Sequence, residues 1–171
     1  MSTDKLDART VGELLDDGRR RLAAHSENPA ADARALLGPI SGLDAAALAA
    51  HPERELDADL LQTWEDGLFM LEASSPLPYV LGEWEFFGLP FGVAPAALIP
   101  RPETELLVET AMHWLRANPG RRRVADVGVG SGAIAVALAV SIDDLRVTAT
   151  DISADALAVA ESNVRRHAVE E

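Results

Sequence analysis

Apolar positions recur at helical spacing through the first part of the chain. Val11, Leu14, Leu15 and Leu22 fall on one face of a helix over residues 10–25. Thr10 and Glu13 form a T-x-x-E pattern, in which each side chain satisfies an unpaired backbone N–H of the first turn. A second helix is expected from Asn28-Pro29, a cap followed by proline in the first turn, to Gly38-Pro39. A short Ala-rich helix follows over Leu43 to Ala50. Asp57 is read as the cap of a longer helix reaching about Glu72, with Leu60, Leu61, Trp64, Leu68 and Leu71 on its buried side. Four short helices with short connections predict a small α bundle.

The pattern then changes period. Ser74, Ser75, Pro76 and Pro78 break the helical spacing. Tyr79-Val80-Leu81, Trp84-Glu85-Phe86-Phe87 and Pro90-Phe91-Gly92-Val93 read as β-like runs, with Gly82 and Gly88-Leu89 between them, and predict a hairpin. Five of the eight aromatic residues lie here, so the stretch reads as a packed joint between two domains, with Phe86, Phe87 and Phe91 in a core. Leu98 to Pro102 is expected to be extended, because each proline disfavours helix in the residue before it. Thr104 is read as the cap of a helix running to about Ala117. A β-α-β-α order follows: strand Val124–Val127, a glycine-rich turn, helix Ala133–Val140, strand Arg146–Thr150, and a helix capped by Ser153 and reaching about His167. The expected fold class is α+β: a helical bundle (1–75), a β-hairpin and linker (76–100), and an incomplete Rossmann-like α/β domain (101–171).

Composition narrows the functional classes. The 171 residues include no cysteine, which excludes disulfides and thiolate metal sites. No apolar run approaches the ~20 residues needed to span a bilayer. The first twenty residues have no apolar segment of the signal-peptide kind, so a cytoplasmic protein is expected. With 15 basic and 28 acidic residues the net charge is −13, which disfavours a broad nucleic-acid surface. Residues 1–82 hold 7 basic and 15 acidic residues and are the more acidic part, suiting solvent or a partner with basic patches. His25, His51, His113 and His167 are scattered without metal-ligand spacing. Arg121-Arg122-Arg123 reads as a solvated guard before an apolar strand. Trp64 and Trp114 are expected in the core.

The chemistry concentrates at Gly128-Val129-Gly130-Ser131-Gly132. A strand that ends in such a turn and opens into a helix forms a nucleotide-shaped site, because glycine permits close backbone approach and the helix start offers free N–H groups. Asp151 ends the next strand, where a carboxylate can accept hydrogen bonds from both ribose hydroxyls of an adenosine. The same loop also fits the G-x-G-x-x-G/A dinucleotide pattern, and tight strand–helix packing alone would use the same glycines. Asp126, at the strand end, and the helical segments before the first strand favour S-adenosylmethionine over a nicotinamide dinucleotide. Asp126 is equally suited to accepting hydrogen bonds from loop N–H groups.

Three segments then resemble a known family. Leu98-Ile99-Pro100-Arg101-Pro102-Glu103-Thr104-Glu105-Leu106 is similar to the IPRPETE-type signature of the HemK/PrmC family, and Pro78 to Gly88 resembles that family's hairpin, with Tyr79, Gly82, Phe86 and Gly88 in place. Asp126 to Gly132, DVGVGSG, is similar to the family's DLGTGSG cofactor loop, with Val127 for Leu and Val129 for Thr. The resemblance spans nearly all of residues 10–168. It implies an S-adenosylmethionine-dependent protein-(glutamine-N5) methyltransferase acting on class I peptide-chain release factors. It implies that the helical domain binds the release factor. Gly128, Val129, Gly130, Ser131, Gly132, Asp126 and Asp151 would hold the cofactor. Arg101, Pro102, Thr104 and Glu105 would close over the site, although Thr104 as a cap and Glu105 at a helix start suit local structure equally. Ribosomal-protein glutamine methyltransferases share the fold and loop; Pro102-Glu103-Thr104-Glu105 favours the release-factor branch. DNA adenine methyltransferases lack this N-terminal domain.

The family's N-P-P-Y motif, which holds the substrate amide, does not occur in the sequence. The only Asn-Pro pairs are Asn28-Pro29 and Asn118-Pro119. No catalytic residue is therefore assigned. Two parallel strands leave backbone edges beside Val124, Val127, Val147 and Ala149. The expectation is a shortened gene product, an expressed fragment or one half of a split enzyme, pairing with a complementary C-terminal fragment or with itself. A binding module without turnover is the alternative to an enzyme.

Overall fold

The T-x-x-E pattern closes as a capping box in the computed structural model, which describes residues 8–170. The Glu13 N–H donates to Thr10 Oγ1 at 3.3 Å and the Thr10 N–H donates to Glu13 Oε2 at 2.9 Å. Met1 to Asp7 and Glu171 lie outside the described residues. The architecture is mixed α and β, as expected, and the chain divides between Leu81 and Gly82 into two compact units.

The first unit is helical. Helix α1 (Val11–Arg21) is followed by a 3-10 turn at Leu22–Ala24, then by α2 (Pro29–Ser41), α3 (Ala45–Ala50), α4 (Ala58–Glu72) and α5 (Leu77–Leu81). Two short strands, β1 (Arg9–Thr10) and β2 (Glu55–Leu56), pair antiparallel. Val11, Leu14, Leu22, Ala33, Leu36, Leu37, Leu48, Leu61, Trp64 and Leu68 form its buried core. Fully burying one large apolar side chain contributes about 1.5–3 kcal/mol. Two mid-helix glycines let the helices approach. A Cβ on Gly18 would lie 2.9 Å from the Trp64 ring, and one on Gly67 would lie 2.7 Å from Leu36 Cδ1.

Three details depart from the sequence reading here. Helix α2 runs through Pro39 to Ser41 and ends at Gly42, whose φ of 67° is left-handed. So near a helix end the proline removes only one hydrogen bond, and Ser41 Oγ donates to the Leu37 carbonyl at 2.7 Å. Asp57 precedes α4 but makes no side-chain cap bond. Tyr79-Val80-Leu81 is helix α5, not strand. Pro78 lies in its first turn, where a backbone N–H has no helical partner to lose, so the proline starts a helix rather than breaking one.

The second unit opens with a hairpin of β3 (Glu83–Phe86) and β4 (Leu89–Gly92), paired from Glu83 with Gly92 to Phe86 with Leu89. Phe87 and Gly88 turn it with φ of 55° and 70°, the positive values a two-residue hairpin turn requires. A 3-10 turn at Pro102–Thr104 leads into α6 (Glu105–Ala117). Strand β5 (Arg123–Val127), α7 (Ala133–Ser141), β6 (Arg146–Thr150) and α8 (Ala154–Arg166) complete the β-α-β-α order. The strands β5 and β6 are parallel, with Asp126 beside Ala149 and Val127 beside Thr150. Phe86 and Phe91 pack with Val108, Met112, Leu115, Val136 and Leu138 in the buried core, and Phe87 sits at its margin. Two more expectations are corrected. Thr104 is in helical conformation inside the 3-10 turn and makes no cap bond, because the turn starts two residues earlier, at Pro102. Trp114 is 54% exposed, since α6 buries the Val108, Met112 and Leu115 stripe.

Candidate cofactor site

The loop after β5 is shaped by hydrogen bonds to the end of β6. The N–H groups of Gly128 and Val129 both donate to the Thr150 carbonyl, at 2.8 and 3.0 Å. The Gly132 N–H donates back to the Val129 carbonyl at 2.9 Å. Gly128, Gly130 and Gly132 have φ of 80°, 55° and 82°, a region that side chains other than glycine enter only at a cost.

The three glycines differ in what surrounds them. A Cβ on Gly128 or Gly130 would meet no atom within 4 Å. A Cβ on Gly132 would lie 3.3 Å from both Cα and Cβ of Ala160. So Gly132 lets α8 approach the start of α7, while Gly128 and Gly130 leave an open approach to the loop backbone. Val129 differs again. Its side chain is buried with Ala135 and Ala160, so it presents backbone, not side chain, to the loop.

Asp151 is joined to this loop. Its Oδ2 accepts from the Gly130 N–H and its Oδ1 from the Ser153 N–H, each at 2.9 Å. The Ser153 and Gly130 N–H groups hold the carboxyl below the usual carboxylate range, against a smaller effect of burial. The structure thus brings together Gly130 and Asp151, which lie far apart in sequence. Ser153 in turn caps α8 by accepting from the Ala156 N–H at 3.1 Å.

Asp126 stands at the end of β5. Its Oδ2 is buried without a hydrogen-bond partner. Burial raises its carboxyl above the ordinary aspartate range, and the Ala135 backbone N–H opposes this only in part. The Arg101–Glu105 segment has a different attachment. Glu105 Oε1 accepts the Phe87 N–H at 2.8 Å, tying α6 to the hairpin turn. Arg101 and Pro102 are exposed.

The sequence reading missed Asn163. It is buried on the α8 stripe of Ala156 and Ala160, and its carboxamide bonds Gly92 and Ser131. A lone amide on an otherwise small apolar stripe was the available signal. Among the described residues no group of three or more His, Asp or Glu could hold a metal, and no helix is long and apolar enough to cross a membrane.

Comparison with known proteins gives two family matches. The PrmC N-terminal domain matches residues 13–82 and the methyltransferase small domain matches residues 102–171. A release factor glutamine methyltransferase of Bordetella pertussis is 46% identical over 140 residues, 81% of this chain and 51% of that protein. Proteins of the same name from Koribacter versatilis and Nitratidesulfovibrio vulgaris are 40% and 41% identical, over 92% and 94% of this chain and 56% and 54% of theirs.

The chain belongs to the HemK/PrmC family.

It spans about half the length of the curated relatives it matches. The first match ends one residue past Leu81, where the helical unit ends. The glycine loop, Asp126, Asp151 and Asn163 all lie in the second. The hairpin and the extended stretch to Arg101 fall almost wholly between the two, so Gly92, which Asn163 grips, belongs to neither matched region.

Proposed function

We propose that the protein methylates the side-chain amide nitrogen of the glutamine in the GGQ motif of class I peptide-chain release factors, in the cytoplasm, with S-adenosylmethionine as donor. The observation that supports it most is the Asp151–Gly130 junction, a carboxylate at a strand end held beside an open glycine loop. Membership of the methyltransferase family and the names of the relatives support it as well.

The loop suits the cofactor on physical grounds. Gly128 and Gly130 leave room for close approach, and a carboxylate accepting one bond at each oxygen keeps capacity for ribose hydroxyls. On this reading the backbone from Gly128 to Gly132, with Asp151 and Asp126, holds the cofactor, and Arg101, Pro102, Thr104 and Glu105 close over the site. S-adenosylmethionine, when bound, supplies an electrophilic methyl group on its sulfonium sulfur. The helical domain, residues 1–75 in our assignment, grips the release factor, and its acidic surface suits a basic partner. The hairpin and linker, 76–100, join it to the methyltransferase domain, 101–171.

An amide nitrogen is a poor nucleophile because its lone pair is delocalised into the carbonyl. Positioning and electrostatic stabilisation must therefore do most of the work. By the resemblance, an N-P-P-Y segment does this, and these 171 residues contain none. A cofactor- and partner-binding module is accordingly the second reading for this chain.

One assay separates the readings. The chain is incubated with isotope-labelled S-adenosylmethionine and, in parallel, a class I release factor and a ribosomal protein. Transfer to the release factor glutamine supports the proposal. Transfer to the ribosomal protein alone replaces the substrate. Cofactor binding by calorimetry without transfer assigns these residues the binding role.

A further inference from the structure

We propose that Asn163 is a positioning residue that locks the cofactor loop to the hairpin, an inference that rests on the cofactor reading above. Its side chain spans two segments far apart in sequence. Oδ1 accepts the Gly92 N–H at 2.7 Å. Nδ2 donates to the Gly92 carbonyl at 2.9 Å and to the Ser131 carbonyl at 2.8 Å. Both amide protons are used, and the residue is 1% exposed.

The residue type argues for this role. Alanine at this place would continue the Ala156 and Ala160 stripe with better helix propensity. Asparagine there adds only its carboxamide, whose burial is unfavourable unless its hydrogen bonds are made. What it gains is control of one peptide plane. The Ser131 carbonyl points to Asn163, and the N–H of the same peptide, on Gly132, donates to the Val129 carbonyl. With both ends held, the Ser131–Gly132 peptide cannot rotate, although Gly132 at φ 82° is a place where rotation would otherwise be easy. That peptide leads directly into α7, adjoining Gly130, which Asp151 holds.

The other half of the clamp fixes the hairpin. Asn163 grips both backbone groups of Gly92, the last residue of β4. A Cβ there would lie 3.3 Å from Asn163 Oδ1, so glycine permits the contact. One turn on, His167 approaches the Pro90 carbonyl through Nε2 at 2.9 Å and packs its ring on Phe91 at 5.2 Å. Arg166 pairs with Glu83. Helix α8 therefore docks the hairpin through several residues, but among these Asn163 alone also bonds the loop.

The test uses the full chain and three variants, read by S-adenosylmethionine calorimetry and by hydrogen exchange of the Gly130, Ser131 and Gly132 amides. Asn163→Ala should weaken binding by about tenfold and speed exchange in the loop, as loss of three side-chain hydrogen bonds implies. Gly92→Ala leaves Asn163 and the loop intact but crowds the carboxamide, and should weaken binding in the same direction. It carries the test if Asn163→Ala does not fold. His167→Ala loosens hairpin docking without touching the loop and should bind within about twofold of the wild type, a few tenths of a kcal/mol. Unchanged loop exchange in both Asn163→Ala and Gly92→Ala overturns the proposal. So does a loss in His167→Ala equal to that in Asn163→Ala, because hairpin docking in general would then be responsible. A wild-type chain that binds no S-adenosylmethionine overturns the cofactor reading instead, and loop exchange still decides the clamp.

Discussion

The Gly130 N–H donates to Asp151 Oδ2 at 2.9 Å, closing the glycine loop onto the end of the neighbouring strand. The bond has two consequences for ligand binding. It orients the carboxylate, and it leaves that carboxylate with spare acceptor capacity. Asp151→Ala should therefore weaken S-adenosylmethionine binding by about 10- to 100-fold, as expected for loss of charge-assisted hydrogen bonds. Asp151→Asn keeps one acceptor oxygen and should fall between. Calorimetry on the three proteins checks the order, and equal affinities would place the adenosine elsewhere.

Asp126 poses the opposite electrostatic case. Its carboxyl is raised by burial, and Oδ2 has no partner, so folding disfavours its charged form. The folded state then binds the proton more tightly than the unfolded chain does. Stability falls as pH rises through the raised folded value and recovers on acidification toward the unfolded one. Asp126→Asn should raise the melting temperature at neutral pH, by an amount equivalent to about 1 kcal/mol. The advantage should shrink as the pH is lowered toward 4, within the ordinary aspartate range of about 3.9. If Asp126 also contacts the cofactor, the same variant binds S-adenosylmethionine more weakly while melting higher. Thermal melts at two pH values and one binding titration measure both.

Much of this was legible because it is local. The Thr10 and Glu13 box, the Asn28 cap and the β-α-β-α order depend on residues a few positions apart, whereas the hairpin turns at Phe87-Gly88, one residue before the expected Gly88-Leu89. The reading failed where one residue type serves two local structures. Pro76 and Pro78 break a helix from inside and start one from its first turn, and only the packing of α5 against α2 and α4 decides between them. Trp114 lies outside the core because α6 carries apolar residues on more than one face: Leu106 and Leu107 are exposed as well. In the candidate site, the glycines and Asp151 could be read by spacing. Asn163 could not: an amide on an apolar stripe marks the residue, but its partners are backbone groups 71 and 32 residues away, which spacing does not reveal.

Gly18 tests the packing of the helical unit. Replacing a mid-helix glycine by alanine ordinarily stabilises by roughly 0.5–1 kcal/mol through chain entropy. Here the added Cβ would lie 2.9 Å from the fully buried Trp64 ring and 3.0 Å from Ala33 Cβ, with no flexible chain end to give way. Gly18→Ala should instead destabilise by about 1–3 kcal/mol. Denaturant titration followed by circular dichroism reads the sign, and a stabilised variant would show that α1 and α4 are less closely packed.

Arg21 tests the ion network that joins the end of α1 to α4. Its Nε and Nη2 meet Glu72 at 2.8 Å each, a two-point contact, while Nη1 reaches Glu65 and lies 3.9 Å from Asp17. The Arg21 hydrogen bond holds the Glu72 carboxyl below the ordinary glutamate range. A carboxyl lowered on folding stabilises above its unfolded pKa and loses that contribution as pH falls through the folded value. All partners remain partly exposed, so solvent screens the pair and the gain is modest. Arg21→Ala should cost about 1–2 kcal/mol at neutral pH, because it removes a bidentate contact and leaves Glu72 without that partner, while Glu65 keeps Arg9 at 3.5 Å. Below about pH 4 the variant and the wild type should converge as the carboxylates protonate. Glu72→Gln should show the same convergence with a smaller loss. Thermal melts at neutral and acid pH decide it: a difference between wild type and Arg21→Ala that persists in acid would mean that Arg21 contributes through its packed aliphatic stem rather than its charge.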